Sequence, residues 1–244
     1  MQTSPIKTHK VTLRESLENI LDKYLTNLND GDILAITSKI VSLCQGRVVE
    51  KSSISKRELI AREADSILYT DHNPYDLYLT IKDNILIPSA GIDESNSNGA
   101  YILYPQNLQA VAHTVWKHLA AKFSIENLGV IITDSHTTPM RWGVTGITLG
   151  WCGFEPLYSY INRPDIFGQP MRVTKINLLD ALATSATLVM GEGDEQTPLA
   201  IIHNAPKITF VSRAPSAEEE KSVTIPMEED LYAPLLMAAE WFKN

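Results

Sequence analysis

The chain has 244 residues, a formal net charge of −8, 44% apolar and 20% charged residues, and two cysteines, Cys44 and Cys152. A chain of this length buries roughly 70–75% of its unfolded surface, so folding calls for neither disulfides nor a structural metal. The acidity argues against non-specific nucleic-acid binding, no apolar run is long enough to span a membrane, and two cysteines make no disulfide framework, so a cytoplasmic, reducing setting is expected.

In chain order, residues 11–25 (VTLRESLENILDKYL) place Leu13, Leu17, Ile20, Leu21 and Leu25 at helical spacing, with Thr12 as cap and Glu15 three residues on. The turn composition of TNLNDGD ends that helix. DILAIT, Asp32 to Thr37, reads as a buried strand that exits into SKIVSLCQGR. A second helix is predicted over 55–69, after which DHNPYD, with His72 as a turn residue, interrupts. Residues 77–104 read as short strands and turns. Asn107 caps a helix from Leu108 to Phe123, and GVIITD is the next strand. GVTGITLGWCG (143–153) carries four glycines, which marks close backbone approach. A helix over 178–189 leads into MGEGDEQTP, read as a helix C-cap with Gly191 or Gly193 at positive φ. KITFVS is a late strand and RAPSAEEEKS a charged loop. A last short helix spans Leu231 to Phe242, with Pro234 in its first turn. Helices and strands interleave without a regular βαβ beat, which predicts an irregular α/β (α+β) fold. One domain over 1–244 is expected, with any internal break near 70–85.

The stretch VIITDSHTTPMRWG (Val130 to Gly143) carries an apolar strand into Asp134 and Ser135, with Arg141 farther along. Asp93, in SAGIDESNSNG, also follows an apolar stretch. Two carboxylates from separate loops plus a hydroxyl suit Mg2+ or Mn2+, hard ions that take oxygen ligands and bridge phosphates. By spacing alone, turn capping is the commoner use of such residues. Lys39 could meet a phosphate or be a surface lysine, and Arg141 could clamp a phosphoryl or carboxylate group. His136 could act as a base, but no Ser or Cys stands beside it in a triad pattern. CxxC, HExxH, GK[ST] and GxGxxG are all absent.

Several pieces together resemble the coenzyme F420-0:gamma-glutamyl ligase family, including relatives assigned to folate metabolism. The resemblance is collinear from Pro5 to Pro206 and rests on the order of GDILAITSKIVSLCQGR, AGIDESN, GVIITDSHTTPMRWG, GFEPLYSYINRPDIFGQPMRVTKINLLDALATSATLVMGE and QTPLAII. It implies a two-lobed α/β fold with mixed sheets, a homodimer, and a reaction driven by GTP or ATP with two divalent ions, Mg2+ or Mn2+. A carboxylate is phosphorylated, and the amine of L-glutamate then takes the acyl group as an amide. By position, Asp93, Asp134 and Ser135 resemble the metal-binding residues, and Ser38 and Asn96 resemble nucleotide contacts. Pro5 and Ile6, in TSPI, resemble the nucleotide-binding start. Lys39 and Arg141 are the cations expected to serve the phosphates and a substrate carboxylate. The chain departs from the family in having SHTTPMR where FGRPWR is usual, and Leu43 where a second lysine is usual. These departures keep open a catalytically altered nucleotide- or metabolite-binding protein of the same fold.

Overall fold

The computed structural model describes residues 1–69, 75 and 77–243. Of the expected interruption DHNPYD, all but Tyr75, and so His72, lies outside the described residues. The elements in order are β1 Gln2–Ile6, α1 Leu17–Tyr24, β2 Asp32–Thr37, α2 Ser38–Gln45, β3 Val48–Glu50, α3 Lys56–Glu63, β4 Ser66–Leu68, β5 Leu79–Lys82, β6 Ile85–Pro88 and β7 Ala100–Ile102. There follow α4 Leu108–Phe123, β8 Leu128–Thr137, β9 Val144–Cys152, β10 Leu157–Ser159, β11 Lys175–Asn177, α5 Leu178–Met190, β12 Leu199–His203, α6 Ala217–Ser222, α7 Ala233–Leu236 and β13 Phe242–Lys243.

A mixed five-stranded sheet, ordered β1-β12-β2-β8-β9, carries the core. Only β2 and β8 run parallel within it; the other neighbours are antiparallel. Both faces are covered, which explains why DILAIT and GVIITD are apolar throughout rather than alternating. Leu34, Ile36, Val130 and Ile132 pack with residues of α1, α2 and α4. Ile33, Ala35 and Ile131 pack with α5 through Leu179, Leu182, Ala183 and Ala186. A four-stranded antiparallel sheet, β13-β4-β5-β6, sits beside a smaller cluster of Leu59, Ile60, Ile67, Ile92, Tyr101 and Leu103. The irregular α/β class with mixed sheets is the one observed.

Several element boundaries differ from the sequence expectation. The first helix starts at Leu17, capped by Ser16, because Arg14 adopts φ 61° and breaks the turn that Thr12 and Glu15 form upstream. The helix over 55–69 stops at Glu63: Ala64 is extended, and Ile67 pairs with Thr80 instead of continuing the helical stripe. SKIVSLCQ is a helix, α2, closed by Gly46 at φ 72°. The glycine-rich stretch is strand β9, and there Gly146 and Gly150 let the backbones of Ala183 and Leu108 approach. KITFVS forms no strand; Phe210 makes a single bridge to Phe154, and the sheet position is taken by β12. The last helix shrinks to α7, since Leu235 and Met237 are exposed and provide no packed face to sustain it.

Candidate active site

β2 ends at Thr37, paired with Thr133, whereas β8 continues to Thr137 against β9 alone. Asp134 and Ser135 therefore do not sit past the end of their strand, as expected. They lie inside β8, beyond a bulge at Ile132/Thr133, where the turn of β2 into α2 has removed one neighbour. The strand outlasts the apolar run because β9 keeps supplying ladder partners. The gap at the C-terminal ends of the parallel pair opens into a cavity of about 470 Å³, where ligands of parallel α/β sheets commonly bind.

The cavity wall brings together Lys39, Asp93, Asn96, Asp134 and Ser135, and adds Glu192 from the turn after α5. Asp93 is fixed by a two-way backbone bridge to Ile102, each N–H donating to the other carbonyl at 2.9 Å. The Ser95 N–H donates to Asp93 Oδ1 at 2.6 Å, and Lys39 Nζ lies 2.6 Å from Asp93 Oδ2. Asn96 Nδ2 donates to the Gly193 carbonyl at 2.9 Å, which ties the Asp93 loop to the turn after α5. From the other side, Ser135 Oγ reaches Glu192 Oε2 at 3.4 Å. Gly191 takes φ 76°, and a Cβ there would meet the Glu195 carboxylate at 2.4 Å.

The acids differ in how readily they ionise. Burial pushes Asp134 up to about 6, with the Asp93 charge adding to it and the Tyr104 hydroxyl, the Ser135 N–H and Lys39 opposing. Burial also works against ionisation of Asp93, but the Lys39 ammonium and the Ser95 contacts outweigh it and hold that carboxyl below its ordinary value. Glu192 is raised, first by burial, with Asp93 and Glu195 adding and Lys39 and Ser135 opposing. A raised carboxylate lined up with others invites a cation that would offset their repulsion.

Among the described residues, no three His, Cys, Asp or Glu side chains converge at metal-ligand spacing. The donor chemistry still fits Mg2+ or Mn2+: every donor is oxygen, and Mg2+ takes one or two carboxylates and completes its shell with water and phosphate oxygens. Two helix ends of opposite polarity also meet here. The first turn of α2 (Thr37, Lys39, Ile40) and the last of α5 (Met190, Gly191) both line the cavity. Thr37 makes no side-chain cap, so the first N–H groups of α2 remain available to an anion. The carbonyl end of α5 favours a cation.

The remaining expected residues lie elsewhere. Ser38 is buried beside a smaller cleft that it shares with Asp134. Pro5 and Ile6 pair with Ala200 and Leu199 on β1, and it is Thr8 to Val11, just beyond, that line the cavity. Arg141 is exposed at the tip of the β8–β9 hairpin, outside the cavity wall. His136 meets Thr145 across the same hairpin at 3.2 Å. Leu43 lines the cavity. Two further residues of the site are not evident from the sequence. Glu192 was legible only as part of a glycine-flanked acidic turn, which also reads as a helix C-cap. Tyr104, buried at 3% exposure beside Asp134, left no signal in its apolar segment.

Proteins named coenzyme F420:L-glutamate ligase are similar to this chain. The one from Methanopyrus kandleri is 32% identical over 192 residues, covering 71% of this chain and 75% of its own length. That from Methanococcus maripaludis is 30% identical over 206 residues, covering 78% and 82%. That from Methanocaldococcus jannaschii is 30% identical over 195 residues, covering 73% and 77%. The chain is thus an enzyme of the ligase class that joins glutamate. It belongs to the F420-0:Gamma-glutamyl ligase family, whose family model matches residues 5–204.

Proposed function

We propose that the cavity binds the triphosphate of GTP or ATP with a divalent cation, and that the enzyme joins L-glutamate to a carboxylate acceptor through an acyl phosphate. The observation that carries this reading is the pairing of opposed helix ends, the N-terminus of α2 and the C-terminus of α5, over one acid-lined cavity. A nucleotide–metal complex has that same polarity, anionic phosphates beside a cation. Asp93, Asp134, Ser135 and Glu192 would hold Mg2+ or Mn2+, which neutralises phosphate charge as the phosphoryl group is transferred.

The chain's own groups do the positioning. Lys39, released from Asp93, and the first N–H groups of α2 take phosphate oxygens. Ser38 and Asn96 fix the nucleotide, and the β1 segment with Pro5 and Ile6 supports its far side. An acceptor carboxylate oxygen attacks the γ-phosphorus, the bond to the β–γ bridging oxygen breaks, and the nucleoside diphosphate leaves. The glutamate nitrogen then attacks the acyl carbon, orthophosphate leaves, and the amine gives up a proton. Arg141 serves a substrate carboxylate only if the hairpin folds toward the cavity. The relatives' names support a coenzyme F420 precursor as acceptor; a folate or another carboxylate is the alternative.

A homodimer is part of this reading, supported by the exposed apolar side chains Met140, Trp142, Ile166 and Phe167 on two projecting loops. The free thiols of Cys44 and Cys152 support a reducing, cytoplasmic setting. A second reading, a binding protein with altered catalysis, draws on the apolar Leu43 in the cavity wall and on Lys39 being engaged by Asp93. One experiment separates the two: GTP or ATP, Mg2+ or Mn2+ and L-glutamate are screened against candidate carboxylates, with phosphate release and amide mass as readouts. Glutamate- and metal-dependent product supports the ligase; nucleotide binding without turnover supports the second reading.

A further inference from the structure

We propose that Tyr104 is a positioning residue whose buried hydroxyl donates to the Asp134 carboxylate once a divalent cation is bound, and so fixes which carboxylate oxygen faces the ion. The proposal rests on the metal-dependent reading above. Among the described residues, the Tyr104 hydroxyl is one of two buried side-chain polar atoms that make no hydrogen bond of good geometry, the other being Trp151 Nε1, although the hydroxyl lies close enough to Asp134 to favour that carboxylate's ionised form. A buried hydroxyl without a well-formed hydrogen bond weakens a fold, which calls for a reason. The group available to it is Asp134, which shares a small cleft with Tyr104, Lys39 and Asp93. A phenol can donate and an ionised carboxylate only accepts, so the pairing has the right sense.

The ring is held in place on purpose-built surroundings. Arg47 Nε donates to the Tyr104 carbonyl at 3.1 Å, and Arg47 is itself anchored to Glu63 at 2.7 Å. On the ring's side, Gly91 at φ 69° leaves the space that Tyr104 fills: a Cβ there would lie 2.2 Å from Cε1 and 2.4 Å from Cζ. The ring therefore cannot shift toward residue 91, and the hydroxyl stays directed into the cleft. A carboxylate that gives one oxygen to a cation keeps lone pairs on the other, and a donor at that second oxygen sets its orientation as outer-shell partners of metal ligands do.

The test compares wild type with Tyr104→Phe, which keeps the packing and removes only the donor. Mn2+ binding is followed by water-proton relaxation, with and without a non-hydrolysable GTP analogue, and thermal unfolding is measured without metal. The expected result is an unfolding temperature equal to or above that of wild type, with Mn2+ affinity lower by about ten- to hundredfold. A purely structural tyrosine would instead lower the unfolding temperature and leave Mn2+ affinity unchanged. Equal Mn2+ affinity in the two proteins, or failure of Tyr104→Phe to fold, overturns the proposal while leaving the ligase reading standing. Absence of Mn2+ binding by wild type in both conditions overturns both.

Discussion

Lys39 Nζ lies 2.6 Å from Asp93 Oδ2 and 2.8 Å from Ser95 Oγ, so the first turn of α2 is tied to the loop before β7 across the cavity. In the proposed function the same contact holds two groups in reserve. An arriving phosphate offers the ammonium another anion, and an arriving cation offers the carboxylate another partner. In the proposed function, binding a metal–nucleotide complex would exchange one ion pair for two, without leaving either side chain unpaired.

Lys39→Met breaks that exchange. Affinity for a non-hydrolysable triphosphate should fall about ten- to hundredfold, the range for loss of a charge-assisted hydrogen bond. Asp93 would also lose the ammonium that holds it below its ordinary value, while its burial would remain. Calorimetric titration of the nucleotide analogue checks this; unchanged affinity would remove Lys39 from the phosphate site.

Asp134→Asn keeps the shape of the side chain and removes its charge. Ligation should drop roughly a thousandfold or more, as expected when a metal carboxylate is lost. The fold should survive, because burial already opposes the charge on Asp134. Circular dichroism and thermal unfolding at neutral pH should match or exceed wild type. A variant with wild-type turnover would show that no catalytic cation depends on this carboxylate.

The raised Asp134 carboxyl also gives a pH signature with two opposite signs. Its value rises from the ordinary 3.8 to about 6 in the folded chain. Between those values the folded state holds a proton that the unfolded state has released, so this group's contribution to stability falls as pH rises through that window and is flat above it. Cation binding needs the ionised form, so the apparent Mg2+ affinity should weaken by up to about tenfold per pH unit below the folded value. The Mg2+ concentration for half-maximal activity, measured from acid to neutral pH, reports this directly. A flat profile would contradict the assignment of Asp134 to the cation.

What the sequence revealed and what it hid follow from the range of the interactions involved. DILAIT and GVIITD are legible because both sheet faces are covered, and the helices from Leu108 and from Leu178 because each buries one stripe. The in-strand position of Asp134 was not legible, since the length of β8 is set by its pairing with β9, not by its own residues. SKIVSLCQ is hard to recognise as a helix because its eight residues span only about two turns and its end depends on Gly46 in the left-handed region. Residue type singles out Asp93, Asp134 and Ser135, the family resemblance implies their metal role, and they meet in one cavity. The addition of Glu192 and the buried hydroxyl of Tyr104 depend on α5 and Gly91, which a sequence pattern cannot bring to the same place.

Asp32 provides a control away from the cavity. It is 3% exposed, accepts from the Asn29 N–H at 2.8 Å and pairs with His203 Nδ1 at 2.6 Å. Asp32→Ala leaves both donors without their acceptor and should destabilise the fold by roughly 2–4 kcal/mol. Urea unfolding checks the loss, and activity per folded molecule should be unchanged. A selective loss of activity would mean that the β2–β12 pair transmits strain to the site.

Gly146 links packing to the site. It lies on β9 beneath α5, where a Cβ would stand 2.3 Å from the carbonyl carbon and oxygen of Ala183 and 2.5 Å from the Thr184 nitrogen. Those are backbone atoms, so Gly146→Ala can be accommodated only by lifting the helix, at a cost of roughly 1–3 kcal/mol or more. The same helix carries Gly191 and Glu192 at its C-terminal end, opposite Ser135 on β8. Lifting it should part Glu192 from Ser135 and weaken Mg2+ activation beyond what the lost stability explains. Gly150→Ala is the matched comparison: its Cβ would press on the Leu108 carbonyl oxygen at 2.9 Å, at the start of α4, far along the chain from Glu192. A smaller stability loss is expected in Gly150→Ala, whose clash is milder, and a raised Mg2+ requirement only in Gly146→Ala. Equal Mg2+ requirements, measured at a temperature where both variants are folded, would show that the seating of α5 does not set the geometry of the acids.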